Sequence, residues 1–290
     1  MPQNFTAMSN IRYDSLEVTP GTYVPEIGKT YPQDDPHARL KPMKRTHEEV
    51  IDEHYPYLDD SFHNRWRIFW SYIFILYISL GFNLYVRMGM KVHGRSKLRK
   101  YKALLKDGFI TLSNHVYFLD CPAVLIATHA PHTTKIPMFA PNFSTGVSYF
   151  LHVVGGVPIP EDNFEAMKKF NAAFDTFHER KYRFHIFPEA ARWDYYKPLR
   201  PFSKGAFSMA YKYNMPLLPC AINFRPRTGI YRLFASADVP LVTVEIGDPI
   251  LPDTSKPRRD EVQRLLRESR NQIIQMLGIT HNTWEDEYTA

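Results

Sequence analysis

Two cysteines, Cys121 and Cys220, in 290 residues are too few for a disulfide framework and point to free thiols in a reducing setting. The amino terminus lacks the basic, apolar, small-residue order of a signal peptide. A zinc-finger pattern, an RNA-recognition block and a dense basic arm are all missing, so nucleic acid is not an expected partner. No Gly-x-Ser-x-Gly elbow occurs, which argues against a serine hydrolase of the α/β-hydrolase kind. Neither a phosphate-binding P-loop nor a clean dinucleotide fingerprint is found. His129 and His132 stand three apart with no carboxylate or thiol close by in sequence, so no metal site is expected. The chain carries no internal repeat and no low-complexity tract.

What is present is a long, aromatic-rich and unevenly charged chain. Hydrophobic residues make up 44%, ample for a packed core, in a length that fits one large domain or two small ones. Residues 1–62 hold 6 basic and 11 acidic side chains, a net of −5, whereas the other 228 hold 30 and 19, a net of +11. A basic main body suits an anionic partner, such as lipid headgroups or coenzyme phosphates.

Residues 1–62 read as an irregular acidic extension, with a helix start expected near Thr46, where Glu49 completes a capping box. Residues 63–90 read as a membrane-associated hydrophobic helix. Within them, Ile68 to Val86 is a run of 19 residues without a charge, bounded by Arg67 and Arg87 and flanked by Trp66, Trp70 and Tyr85. At about 1.5 Å per residue such a run reaches about 28 Å, close to a bilayer core. Ser71, Ser79 and Asn83 interrupt it, so a span, a shallow in-plane helix and a half-buried helix all stay open. The basic residues that follow (Arg87, Lys91, Arg95, Lys97, Arg99, Lys100 and Lys102) place the next domain on the cytoplasmic side of a cell membrane.

Residues 91–250 alternate strand-like and helix-like segments, and 251–290 read as a C-terminal helix and tail. Strands are expected at 91–93, 109–112, 135–139, 153–159, 184–187, 217–223 and 241–246, and helices at 96–106, 120–128, 161–180, 203–213 and 258–277. Such alternation predicts an α/β fold with a central, mixed, largely parallel sheet flanked by helices.

Two blocks carry residues suited to chemistry. SNHVYFLD, Ser113–Asp120, leaves a strand and opens a helix, where α/β proteins place working groups. A carboxylate at Asp120 that accepts from one nitrogen of His115 leaves the other free to take a proton. The bland alternative is a surface histidine beside a helix-capping aspartate. FPEAARWD, Phe187–Asp194, also leaves a strand. Pro188 sets the exit of the chain, Arg192 is suited to grip a phosphate, and Glu189 to orient polar groups. Here the alternative is a local Glu–Arg surface pair. VVGGVPIP, Val153–Pro160, has adjacent glycines that allow close backbone approach, and MPLLPCAI, Met215–Ile222, is an apolar strand bracketed by prolines.

In order and spacing these blocks resemble the glycerophospholipid acyltransferases, the 1-acyl-glycerol-3-phosphate acyltransferases and their relatives, over roughly 91–250. The Asn-His-x4-Asp motif is intact as Asn114, His115 and Asp120. Gly155-Gly156-Val157-Pro158-Ile159-Pro160 is similar to the second motif, Phe187-Pro188-Glu189-Ala190-Ala191-Arg192 to the third, and Met215-Pro216-Leu217-Leu218-Pro219 to the fourth. The resemblance implies that His115 is the general base and Asp120 its partner. It implies that Asn114, Gly156, Phe187, Pro188, Glu189, Arg192 and Lys204 serve the substrate. It further implies an acyl-CoA or acyl-carrier-protein donor, a lysophospholipid acceptor, a membrane lipid surface as partner, and no cofactor or metal. Backbone N–H groups near the helix start would receive the oxyanion. Ala190 and Ala191 replace the usual Gly-Thr, and Glu161 and Asp162 follow the second motif where Arg is common, so Arg200 or Lys204 is expected to supply compensating charge. A non-catalytic lipid-binding protein and a thioesterase are the alternative functions.

Overall fold

The computed structural model describes residues 15–25, 29–32, 35–40, 42–59, 61–236 and 239–284. The first and last stretches of the sequence, 1–14 and 285–290, lie outside it, so the extension and tail are described only in part.

Five strands build the main sheet: β2 (Lys91–His93), β3 (Ile110–Ser113), β6 (Phe184–Ile186), β7 (Leu217–Arg225) and β8 (Leu241–Ile246), in the order β2-β8-β7-β3-β6. All neighbouring pairs run parallel except β7 with β8. Two smaller pairs flank it. β4 (Ile136–Phe139) runs parallel to β5 (Gly156–Ile159), and β1 (Glu17–Val18) runs antiparallel to β9 (Ile279–His281).

The central strands are buried on both faces, and their side chains divide by alternation between two apolar layers. Leu218, Cys220, Ile222 and Phe224 of β7 join Val242, Val244 and Ile246 of β8 on one face. The helix α4 (Asp120–Ala127) packs there, and so does the inner side of the long N-terminal helix. Leu217 and Ala221 join Ile110 and Leu112 on the other face, under α6 (Phe164–Glu179), α7 (Gly205–Tyr213) and α8 (Arg258–Met276). α6 starts where the Asn163 side chain accepts from Ala166 N–H at 3.0 Å, and it buries Ala166, Phe170, Ala173, Phe174 and Phe177 at helical spacing. The fold is thus α/β, with the mostly parallel mixed sheet that alternation predicts.

The N-terminal helical stretch runs from Phe62 to Arg87 and is long and apolar enough to cross a membrane. It begins as α1 (Phe62–Tyr72), capped by Ser61, and continues with wider π-type turns over Ile73–Leu80 and Asn83–Arg87. Its exposed row is Phe62, Trp66, Trp70, Phe74, Ile78 and Phe82, one residue in every four. Turns of about 3.6 residues let such a row drift, and wider i→i+5 turns counter the drift. The opposite side, Tyr72, Leu76 and Leu84, is buried against the domain. The Tyr72 and Tyr77 hydroxyls both donate to Ala130 O, at 2.9 and 3.0 Å.

Three local expectations are corrected. No helix starts at Thr46, because Thr46 N–H donates to Ser144 O at 2.9 Å and Glu49 N–H to Ser144 Oγ at 3.1 Å, so the segment docks extended. The strand expected at 153–159 is only Gly156–Ile159. Val153 ends a helix, α5 (Ser148–Val153), and the chain turns at Gly155 with φ +93°. A side chain at Gly155 would put its Cβ 1.9 Å from Thr134 O. The helix expected at 96–106 breaks at Tyr101 into α2 (Ser96–Lys100) and α3 (Lys102–Leu105).

Candidate active site

β3 delivers Asn114 and His115 to its carboxyl end. Asn114 is buried and acts there as a side-chain extension of the sheet, with Oδ1 accepting from Ile222 N–H at 2.7 Å and Nδ2 donating to Ile222 O at 3.1 Å. This amide pair continues the β3–β7 ladder one step beyond Ser113 and Cys220, fixing where the next residue begins.

That residue, His115, donates from Nδ1 to Asp120 Oδ2 at 2.6 Å. Asp120 is buried and cannot swing away. Its Oδ2 also accepts from Val116 N–H at 3.1 Å and Tyr117 N–H at 3.3 Å, and its Oδ1 from Cys121 N–H at 2.7 Å. The turn after β3 thus wraps its amides around the carboxylate at the start of α4, a place that favours negative charge. The pairing sets the imidazole tautomer, and no described residue bonds Nε2. The side chain of His115 is 19% exposed. The amides of Val116, Tyr117 and Cys121, at the helix start where oxyanion donors are expected, are instead engaged by Asp120.

Phe187 stacks on the His115 ring with centroids 3.9 Å apart and planes 18° from parallel. Behind it, His185 meets Phe187 edge-on at 4.4 Å. His185 is fully buried and shares a 2.8 Å hydrogen bond with Thr111 Oγ1, and desolvation pushes its pKa down to about 4. It stays neutral near pH 7.

Glu189 is buried behind the loop. Its Oε2 accepts from His115 N–H at 3.3 Å and from Arg200 Nη2 at 2.6 Å, and its Oε1 from Arg200 N–H at 3.3 Å. Its ionic partner is therefore Arg200, eleven residues on, and not Arg192. Ala190 lies between them with φ +64°, the left-handed conformation that glycine, usual at this motif position, takes without steric cost. That turn throws Arg192 outward, where its side chain is 40% exposed and pairs with Asp194 at 2.8 Å. Arg200 is wholly buried, also bonds Ala191 O and Pro36 O, and lies 4.4 Å from the Trp193 ring centroid. Pro188 is buried in the same loop and accepts from Ser203 N–H at 2.8 Å. Lys204 is exposed at the start of α7, and Gly156 opens β5, where a Cβ would lie 2.7 Å from Leu151 O.

Part of the N-terminal extension straps the Glu189–Asp194 loop from outside. His37 Nδ1 donates to Glu189 O at 3.2 Å, Trp193 Nε1 donates to Ala38 O at 2.7 Å, and Tyr31 OH donates to Asp194 O at 2.7 Å. Tyr31, Trp193, Tyr196 and Trp284 form a small apolar cluster of their own. The strap carried no local sequence signal, since its bonds to this loop join residues far apart in the chain.

Among the described residues, no group of His, Cys, Asp and Glu side chains is arranged to hold a metal. Residues 89–223 match the model of a family described as Acyltransferase. The structure is similar to that of PlsC, the 1-acyl-sn-glycerophosphate (LPA) acyltransferase of Thermotoga maritima, at 19% identity over 63% of this chain and 70% of that one, with a TM-score of 0.40. No curated protein gives a significant match.

Proposed function

Because residues 89–223 match the model of the Acyltransferase family, we propose that the protein moves a fatty acyl group from acyl-CoA or acyl-carrier protein to a lysophospholipid hydroxyl. The acceptor we favour is 1-acyl-glycerol-3-phosphate, giving phosphatidate. The observation that carries the reading is the His115–Asp120 pair, 2.6 Å apart, with the carboxylate immobilised and Nε2 bonded by no described residue. In the proposed step Nε2 takes the acceptor's hydroxyl proton as its oxygen attacks the thioester carbonyl. The tetrahedral intermediate then collapses, the C–S bond breaks, and the imidazolium returns the proton to the departing thiolate. Asp120 stabilises the imidazolium throughout, and such a base contributes about 10²–10⁴-fold in rate.

Arg192 and Lys204, both exposed near the loop, are the residues we assign to the acceptor phosphate. Glu189 acts from behind, holding the His115 backbone through the buried Arg200 pair. The apolar row of the helix Phe62–Arg87 faces away from the domain, which favours a helix lying in the membrane surface, and the basic residues that follow it support a domain on the cytoplasmic side of a cell membrane. Purified protein supplied with labelled acyl-CoA or acyl-carrier protein and a panel of lysophospholipids is expected to transfer label. His115→Ala should lower transfer by at least about 10²-fold; full transfer by that variant defeats the mechanism.

A further inference from the structure

The loop after β7 carries Ile230, 65% exposed, and Leu233, 81% exposed, with Phe234 beside them. Exposed apolar side chains grouped on one loop, unlike ones scattered singly, mark a contact surface. The loop that holds them is not loose. Arg227 is buried beneath it and donates to Tyr231 O at 2.7 Å and Val239 O at 2.6 Å. The same guanidinium donates to Arg87 O at 3.0 Å, the last residue of the apolar helix. The Tyr231 ring sits against Gly89, whose Cβ position would be 2.9 Å from it. One buried arginine thus staples loop and helix end together.

Topology puts both beside the His–Asp pair. His115 follows the carboxyl end of β3, and β7 runs parallel to β3, so the loop leaves the same end of the sheet. β8 is antiparallel to β7 and β2 parallel to β8, so the helix enters β2 at that end too. Phe118, exposed between His115 and Asp120, adds a third apolar side chain there. Arg87 and Arg232 are exposed on the helix end and the loop, and their charge complements anionic headgroups.

We propose that Gly229–Phe234 is a second membrane-contacting element, which inserts Ile230 and Leu233 into an anionic lipid surface beside the end of the apolar helix. Two feet tilt the catalytic end of the sheet toward the bilayer, where an acceptor lipid presents its hydroxyl. This rests on the reading of the helix as membrane-bound, but not on the acyl-transfer chemistry.

Sedimentation of the full chain with vesicles of phosphatidylcholine, alone or mixed with phosphatidylglycerol, tests it. Leu233→Asn should lower partitioning about tenfold on both, as the loss of one inserted leucine implies, and Leu233→Trp should restore it. Arg232→Gln should weaken binding only to the anionic mixture. Leu251→Asn serves as control. Leu251 is 51% exposed but follows Ile250, which pairs with Leu217 at the opposite end of the sheet, and its partitioning should match the parent. Folded Leu233→Asn that partitions like the parent overturns the proposal. Loss of binding in Phe74→Asn without loss in Leu233→Asn leaves the helix reading standing and removes the loop; indifference of both removes both.

Discussion

Arg200→Ala separates a buried ion pair from an exposed one that looks equivalent in sequence. The substitution deletes the guanidinium that bonds Glu189 at 2.6 Å and leaves that carboxylate wholly buried, with only the His115 and residue 200 amides as partners. Removing one member of a buried pair costs about 3–5 kcal/mol. Unfolding entropy of about 2.1 cal/mol/K per residue over 290 residues comes to about 0.6 kcal/mol/K. The melting temperature should therefore fall by about 5–8 °C. Arg192→Ala removes a half-exposed pair with Asp194, worth at most about 1 kcal/mol, and should melt within about 2 °C of the parent. Its effect belongs in the KM for a phosphate-bearing acceptor. Glu189→Leu with Arg200→Met should recover much of the lost stability, since an apolar replacement leaves no buried charge unpaired. Calorimetry on the three variants decides the matter. An Arg200→Ala protein that melts with the parent, or an Arg192→Ala protein that loses as much, refutes the assignment of the pair.

Asp120→Asn should lower kcat on the order of 10²–10⁴-fold, because the neutral amide no longer stabilises the imidazolium and, whichever way it turns, its NH2 faces a backbone N–H that the carboxylate accepts from; steady-state kinetics at saturating acceptor tests this. His185 has a folded pKa of about 4, below its unfolded value of about 6.5. The unfolded chain therefore binds the extra proton between these values, and the associated stability is complete above pH 6.5 and lost as pH falls toward 4. Denaturant unfolding should show that acid limb in the parent and a shallower one in His185→Gln. Gly155→Ala should destabilise by several kcal/mol, about 3 or more, since it meets Thr134 O and forces φ +93° on a residue with a side chain; a melting temperature equal to the parent's would contradict the turn geometry.

Much of the fold could be read from periodicity. β3, β7 and β8 are buried, β-branched or leucine-rich runs bounded by turn residues, and α6 and α8 show clear helical spacing. His115 and Asp120 were legible because five residues of local chain join them. The partner of Glu189 was not. Arg192 stands three residues away, close enough to pair on a helix, but the left-handed Ala190 bends this segment and carries Arg192 away from Glu189. Arg200 reaches Glu189 through buried space that no local pattern reports. The strap at Tyr31, Pro36, His37 and Ala38 was hidden for the same reason: its bonds run to residues more than a hundred and fifty positions away.

The pairing of β1 with β9, in which Thr19 N–H donates to Gly278 O at 2.8 Å, has a consequence for synthesis on the ribosome. β1 is synthesised long before its mate, β9. Until the strand around residue 280 has emerged, β1 has no strand to pair with. Nascent chains stalled before that strand should therefore show a protease-sensitive stretch around β1 ahead of an otherwise formed sheet.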